Sequence, residues 1–243
     1  MLPRIDIPTY DIVLPSTQEL YKFRPFLIKE EKILLMAQTG DDMREKINAI
    51  KQIIRNCIVQ DIDVDALATF DIEYIFIRLR AKSIGNILSL SYTHTGCIGE
   101  EGEAAITKEI PFKLDLETVS ISYTNGESHS NKIQITDDIG MIMKYPNFEI
   151  MNQMSESESF EDIVAVVSNC IEIIYQGDEV FNTSDHPASE VADFIESLTQ
   201  EQFAKINSFF EDMPETTAEC QVKCNKCDFV KTVRVTGITD FFS

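Results

Sequence analysis

A chain of 243 residues with 44% apolar side chains can bury an ordinary core, which excludes global disorder. Its apolar runs break every few residues, far short of the roughly 20 that a membrane span needs, and residues 1–6 hold no apolar secretory signal. A net charge of −20 argues against direct contact with nucleic-acid phosphates. The expectation is a cytoplasmic protein with no membrane and no direct nucleic-acid partner. The charge is unevenly placed. Residues 145–219 hold seventeen acidic side chains and one basic, Lys205, whereas residues 1–60 hold eight acidic and nine basic. Such a field serves solubility, and it can also steer a basic protein partner.

The chain opens extended, because Pro3, Pro8 and Pro15 exclude a helix. A helix is then predicted over 25–36, begun at Pro25. Asp41 or Asp42 caps a second helix running to Ile58, with Met43, Ile47, Ile50, Ile54 and Ile58 on one face. Thr69 or Asp71 caps a third over 72–82, which Gly85 ends. The period then changes. Residues 86–92, 105–114, 119–123, 132–136 and 141–144 read as strands of one antiparallel sheet, with a turn at Asn125-Gly126. Helices return in the acidic part. Ser159 and Asp162 form a capping box for a helix through Ile174, its stripe being Ile163, Val166, Val167, Cys170, Ile171 and Ile174. Pro187 opens another to Leu198, and Thr199 with Gln202 boxes a last one carrying Phe203, Ile206, Phe209 and Phe210. Residues 155–159, rich in serine and glutamate, read as a flexible linker. Residues 219–223 and 229–235 read as the arms of a terminal hairpin.

The fold class is therefore α+β: N-terminal helices, a central antiparallel sheet, an acidic helical part and a C-terminal β-hairpin. The corresponding segments are 1–145, 146–215 and 216–243, the last packing back on the central sheet.

The sharpest chemical feature is Cys224-Asn225-Lys226-Cys227, whose spacing lets two thiolates grip one Zn²⁺ from a tight turn. A redox reading wants a helix after the motif, and β-branched Val230, Thr232, Val233 and Val235 follow instead. His94-Thr95-Gly96-Cys97 has the same spacing at what reads as another hairpin turn, with Gly99 and Gly102 beyond it. Together the pairs make a zinc-ribbon-like site of His94, Cys97, Cys224 and Cys227, with Cys220 as the alternative ligand; unliganded reduced cysteines are the competing reading. Four protein ligands leave no open position, so a filled site is structural. Cys57 and Cys170 sit in helical apolar patterns and read as small buried side chains.

No nucleophile–base pair, Walker loop or dinucleotide fingerprint occurs, so no catalytic or cofactor-binding residue is assigned and the chain is not expected to be an enzyme. His129 and His186 lie in polar loops. Asp137-Asp138 and the Asp61, Asp63, Asp65 run read as solvated turns or caps. Phe23-Arg24-Pro25-Phe26 and the terminal Phe241-Phe242 have hot-spot composition, and each reads either as contact surface or as a core anchor.

Leu14-Pro15-Ser16-Thr17 and residues 23–37, with their Arg-Pro-Phe-Leu-x-Lys-Glu-Glu-Lys stretch, resemble the opening of T4-type bacteriophage baseplate hub assembly proteins. The likeness continues through residues 49–54, 70–74, 79–83 and 143–146 and the terminal Asp240-Phe241-Phe242. The resemblance implies a tail-morphogenesis protein of a contractile-tailed phage. It would be an assembly factor, a chaperone of the hub, or a minor structural component. Its partners would be other phage baseplate hub proteins, met in the host cytoplasm during assembly or retained in the virion tail. The family brings no catalytic residues. The alternative is a zinc-ribbon adaptor in a transcription or replication complex.

Overall fold

A computed structural model of the chain describes residues 5–40, 42–97, 106–124, 128–157 and 159–241. The expected cap Asp41, the glycines at 99 and 102, the turn at Asn125-Gly126, and Glu158 and Phe242 lie outside them. The class is α+β, with strands in small antiparallel sheets.

In chain order, β1 (Tyr10–Val13) and β2 (Leu20–Phe23) pair as a hairpin, and α1 (Ile28–Gln38), α2 (Met43–Cys57) and α3 (Thr69–Ser83) follow. Then come β3 (Ile87–Cys97), β4 (Ile106–Asp115), β5 (Ser120–Ser122), β6 (Lys132–Gln134) and β7 (Ile139–Met143). The acidic part holds α4 (Phe148–Glu156), α5 (Phe160–Cys170), β8 (Ile171–Gln176), β9 (Glu179–Asn182), α6 (Ala188–Glu196) and α7 (Gln200–Glu211). The chain closes with β10 (Glu215–Lys223), β11 (Val230–Thr236) and α8 (Gly237–Phe241).

Two compact units result. Unit one gathers the described residues through Val64, Phe70–Ser122 and Glu215 onward; unit two is Asp65–Thr69 with Tyr123–Pro214. The mid-chain strands are antiparallel, but they are shared among three small sheets rather than joined in one: β3-β4, β11-β10-β5 and β6-β7-β8-β9. The unit border falls at Ser122/Tyr123 rather than after residue 145, because β6 and β7 pair towards β8 while β5 pairs with β10.

Local chemistry accounts for most helix ends. The Asp42 carboxylate accepts from the Arg44 N–H at 2.8 Å. Ser159 with Asp162, and Thr199 with Gln202, form reciprocal capping boxes. The expected start of α1 moves from Pro25 to Ile28. Glu30 turns back to accept from the Leu27 N–H at 2.9 Å, and Arg24 clamps it from upstream. Asp71 is not a cap: its buried carboxylate takes the Ser16 N–H at 3.0 Å and the Ser16 hydroxyl. The helix expected through Ile174 stops at Cys170. Ile171, Ile173 and Tyr175 pass into β8, which turns through Gly177-Asp178 into β9, and Gly177 takes φ +56° there as a two-residue hairpin loop demands. The expected linker is largely structured, with Ser155 and Glu156 ending α4 and Ser159 capping α5.

The cores follow from the apolar faces. Unit two buries Met141, Met143, Val167, Cys170, Ile171 and Ile206 between its sheet and helices. In unit one Leu88, Leu114, Leu116, Ala218, Val235 and Phe241 pack beside Ile77 of α3. Phe241 is thus a core anchor, its carbonyl held by the Arg80 guanidinium at 2.8 Å. Phe23 is likewise buried, and Phe26 meets Phe76 with ring centroids 6.3 Å apart.

Arg24 donates to both Glu30 oxygens, at 3.0 and 3.3 Å, and to the Asn56 carbonyl at 2.7 Å. Burial alone would raise the Glu30 carboxyl, but the Arg24 fork, the Leu27 amide and Lys29 hold it below its ordinary value. Arg24→Ala leaves the buried Glu30 carboxylate with only the exposed Lys29 ammonium at 3.4 Å, so it should cost about 2–3 kcal/mol, read from the urea midpoint. Replacing both partners with aliphatic residues should recover most of that loss.

Glu73 behaves in the opposite way. Burial pushes its carboxyl up to about 7, against hydrogen bonds from Thr216 and from the Ile238 N–H at 3.1 Å. The folded chain therefore keeps a proton that the unfolded chain releases near its ordinary value of 4.5. The associated stability is complete below that value and falls as pH rises through about 7. Its full extent is about 3 kcal/mol. Urea unfolding of Glu73→Gln between pH 5 and 8 should show a flatter pH slope than the parent, and an identical slope would remove Glu73 as its cause.

Candidate metal centre

β3 and β4 run antiparallel in register until one extra residue enters between His94 and Cys97. In a regular strand residues three apart face opposite ways. The extra residue, with Gly96 at φ +77°, rotates Cys97 to the inner face that His94 already occupies. His94 and Cys97 are buried, 7% and 0% exposed. They belong to a strand end, not to the turn expected there.

From the other side, β10 and β11 pair antiparallel and carry Cys224–Cys227 in the connection between them. The Cys224 N–H donates to the Phe229 carbonyl at 2.9 Å, and the Lys226 N–H points to the Cys224 sulfur at 3.5 Å. The Phe229 ring stacks on the His94 imidazole, centroids 4.0 Å apart, and on Tyr92 at 6.0 Å. Lys108 reaches the Asn225 side chain, linking β4 to the same turn. The parts that Phe229 plays as a stacking ring and Gly96 as the bulge residue were not read from the sequence. The signals were present as a glycine between two donors and an aromatic two residues after the last cysteine.

The donor atoms of His94, Cys97, Cys224 and Cys227 all lie within 4.8 Å of one another. Cys97 sulfur is 3.7 Å from that of Cys224 and 3.9 Å from that of Cys227, while Cys227 sulfur is 3.5 Å from His94 Nε2. A disulfide needs about 2.05 Å between sulfurs, so none is formed. A tetrahedral ion with bonds of about 2.3 Å to sulfur and 2.0–2.1 Å to nitrogen sets its ligands about 3.8 Å (S to S) and about 3.6 Å (S to N) apart. Three of the six donor pairs stand near those spacings and all lie within 4.8 Å, so the four residues can hold a metal ion.

The electrostatics agree. The amides of Lys226 and Cys227 pull the Cys224 thiol down, whereas burial, then the neighbouring sulfurs, push Cys97 up. A cation bound among the three sulfurs would favour their thiolate forms. Cys220 does not join them. It lies on the inner face of β10 four residues before Cys224, about 13 Å along a strand, and its sulfur faces the Lys113 carbonyl at 3.7 Å.

The other sequence candidates are apart from this cluster. Both ring nitrogens of His129 are engaged, with Tyr145 Oη at 2.8 Å and the Phe209 carbonyl at 3.0 Å. His186 pairs with Glu190 at 3.0 Å. Asp61, Asp63, Asp65, Asp137 and Asp138 enter no group of three or more metal-type donors among the described residues. Cys57 and Cys170 are fully buried. Among the described residues no helix is long and apolar enough to cross a membrane.

The α+β scaffold brings two distant hairpins together at one four-donor cluster. The chain matches the family described as T4 bacteriophage base plate protein over residues 7–243, and it belongs to that family. No curated protein and no solved structure matches it.

Elemental analysis checks the centre. The purified chain should carry about one metal ion, lost in Cys97→Ser and Cys224→Ser and kept in Cys220→Ser. A folded parent protein without metal would end this assignment.

Proposed function

We propose that this base plate protein works at the central hub of the baseplate, as an assembly chaperone or as a minor hub component, through protein–protein contacts and without a catalytic step. Whole-chain family membership supports the setting. The observation that carries the contact reading is the segregation of charge. Unit two holds nineteen acidic residues against three basic, while the rest of the chain is close to balanced at twenty-two against eighteen. A one-signed field on a folded body raises encounter rates with a basic protein surface and repels like-charged ones.

The metal in this reading is zinc, held by His94 Nε2 and the sulfurs of Cys97, Cys224 and Cys227. Sulfur-rich tetrahedral donor sets favour it. With four protein ligands it supplies cross-linking energy to unit one and no open coordination position. Assembly takes place in the host cytoplasm, and a hub component would travel on in the virion tail.

Affinity capture of the tagged chain from phage-infected cells tests this. Hub subunits should be retained, and triple charge reversal at exposed Glu172, Glu196 and Glu211 should lower their recovery at least tenfold. Unchanged recovery would remove the electrostatic argument. Presence or absence of the chain in purified particles separates a component from a chaperone.

A further inference from the structure

We propose that the free edge of β9 and the cleft beside it receive an extended basic segment of a partner protein. The segment adds as a further strand to the unit-two sheet and seats one apolar side chain in the cleft. This rests on the reading that the protein works through protein contacts, and it names where on unit two one such contact is made.

The sheet order is β6-β7-β8-β9, and among the described residues β9 pairs only with β8. A terminal strand turns alternate N–H and C=O groups to its open side, and proteins usually guard such an edge with lysine, proline or a bulge. β9, Glu179-Val180-Phe181-Asn182, has no lysine or proline and pairs in unbroken register. Instead it shows Val180 at 61% and Phe181 at 38% exposure. The two-residue turn closes on the pair Gln176–Glu179, the hydrogen-bonded kind in such hairpins, so Val180 one step on faces its N–H outward.

Directly beside this edge is a cavity of about 210 Å³ between the sheet and α6. Ile139, Ile174 and Phe181 meet Val191 and Phe194 there, with the His186–Glu190 pair at the margin. An apolar recess next to an open strand edge is what strand addition uses: the backbone ladder supplies affinity and the recess selects a side chain.

Charge identifies the occupant. Between Lys144 and Lys205 there is no lysine or arginine, against thirteen carboxylates. Asp178, Glu179, Asp185 and Glu190, on the turn, strand and helix that frame the cleft, are all exposed. A second copy of this edge, an acidic peptide or a nucleic acid would bring like charge to that rim; a segment with lysine or arginine around an apolar anchor is complementary.

The test uses the full chain and a fluorescent ten-residue peptide alternating isoleucine with lysine, read by anisotropy. Binding is expected, and the same peptide with glutamate for lysine should not bind. Glu179→Lys/Glu190→Lys should weaken affinity at least tenfold, as should Val180→Pro, which removes the outward donor at a position where an edge strand tolerates proline. Reversal of exposed Glu149 and Glu156, which do not line the cleft, should change affinity less than twofold. No binding to the parent, or equal losses from cleft and control reversals, would overturn the proposal. So would a dimer in sedimentation that Val180→Pro dissolves, since the edge would then receive a second copy. Capture from infected cells keeps the two readings distinct. Hub subunits recovered equally by parent and Glu179→Lys/Glu190→Lys would sink the β9 inference alone, and peptide binding without recovery of any hub subunit would sink the hub reading alone.

Discussion

Three sulfurs and an imidazole nitrogen stand within 4.8 Å of one another in unit one, at separations too long for a covalent bridge and too short for three free anions. Neutral thiols would gain only weak S–H contacts there, and ionised ones would repel. A divalent cation removes the repulsion and converts it into attraction. A cation held there would tie together segments far apart in unit one. The donors come from β3 and from the β10–β11 turn, 127 residues apart in the chain for Cys97 and Cys224, and loop-closure entropy for so long a segment is a real cost that rises slowly with length. Once β10 is fixed, β5 can pair with it, Ile238 can donate to Glu73, and Arg80 can hold the Phe241 carbonyl. The C-terminal segment is thereby locked against α3.

Features governed by a few neighbouring residues were legible in the sequence. Asp42, Ser159 and Thr199 cap helices as their side chains require, and the four residues that cluster could be named because each pair has a fixed short spacing. What was hidden depends on distant partners. The run Val166, Val167, Cys170, Ile171, Ile174 fits a helical stripe, yet Ile171, Ile173 and Tyr175 fit an alternating strand equally well. Only pairing with β7 and the Gly177 hairpin decides for the strand. Asp71 has the chemistry of a cap, and a serine 55 positions upstream makes it a buried acceptor instead. The grouping of strands into small sheets was illegible for the same reason, since β5 finds its partner only after the whole of unit two has intervened.

The two units handle charge differently. Unit one takes ionisable groups into its interior and gives them partners in place: Glu30 under the Arg24 fork, Arg80 on a carbonyl, and Glu73, raised by burial to about 7, under the Ile238 N–H. Unit two leaves nearly all of its described carboxylates exposed, where they repel one another and lower the net gain from its core. That arrangement has a short reach. At physiological ionic strength the field decays over about 8 Å, so it would act on a partner only in the last step before contact.

Binding energy must then come from elsewhere, because exposed ion pairs contribute little, about 0–1 kcal/mol each. Apolar area and backbone hydrogen bonds are the sources that remain, and unit two offers both at one place, where the open edge of β9 adjoins a recess lined by Ile139, Ile174 and Phe194. An open strand edge invites indiscriminate pairing. Surrounding it with carboxylates makes wrong partners, copies of the same chain included, unfavourable before any ladder can form. On this argument the acidity of unit two acts chiefly as a filter for a contact whose strength lies in the sheet.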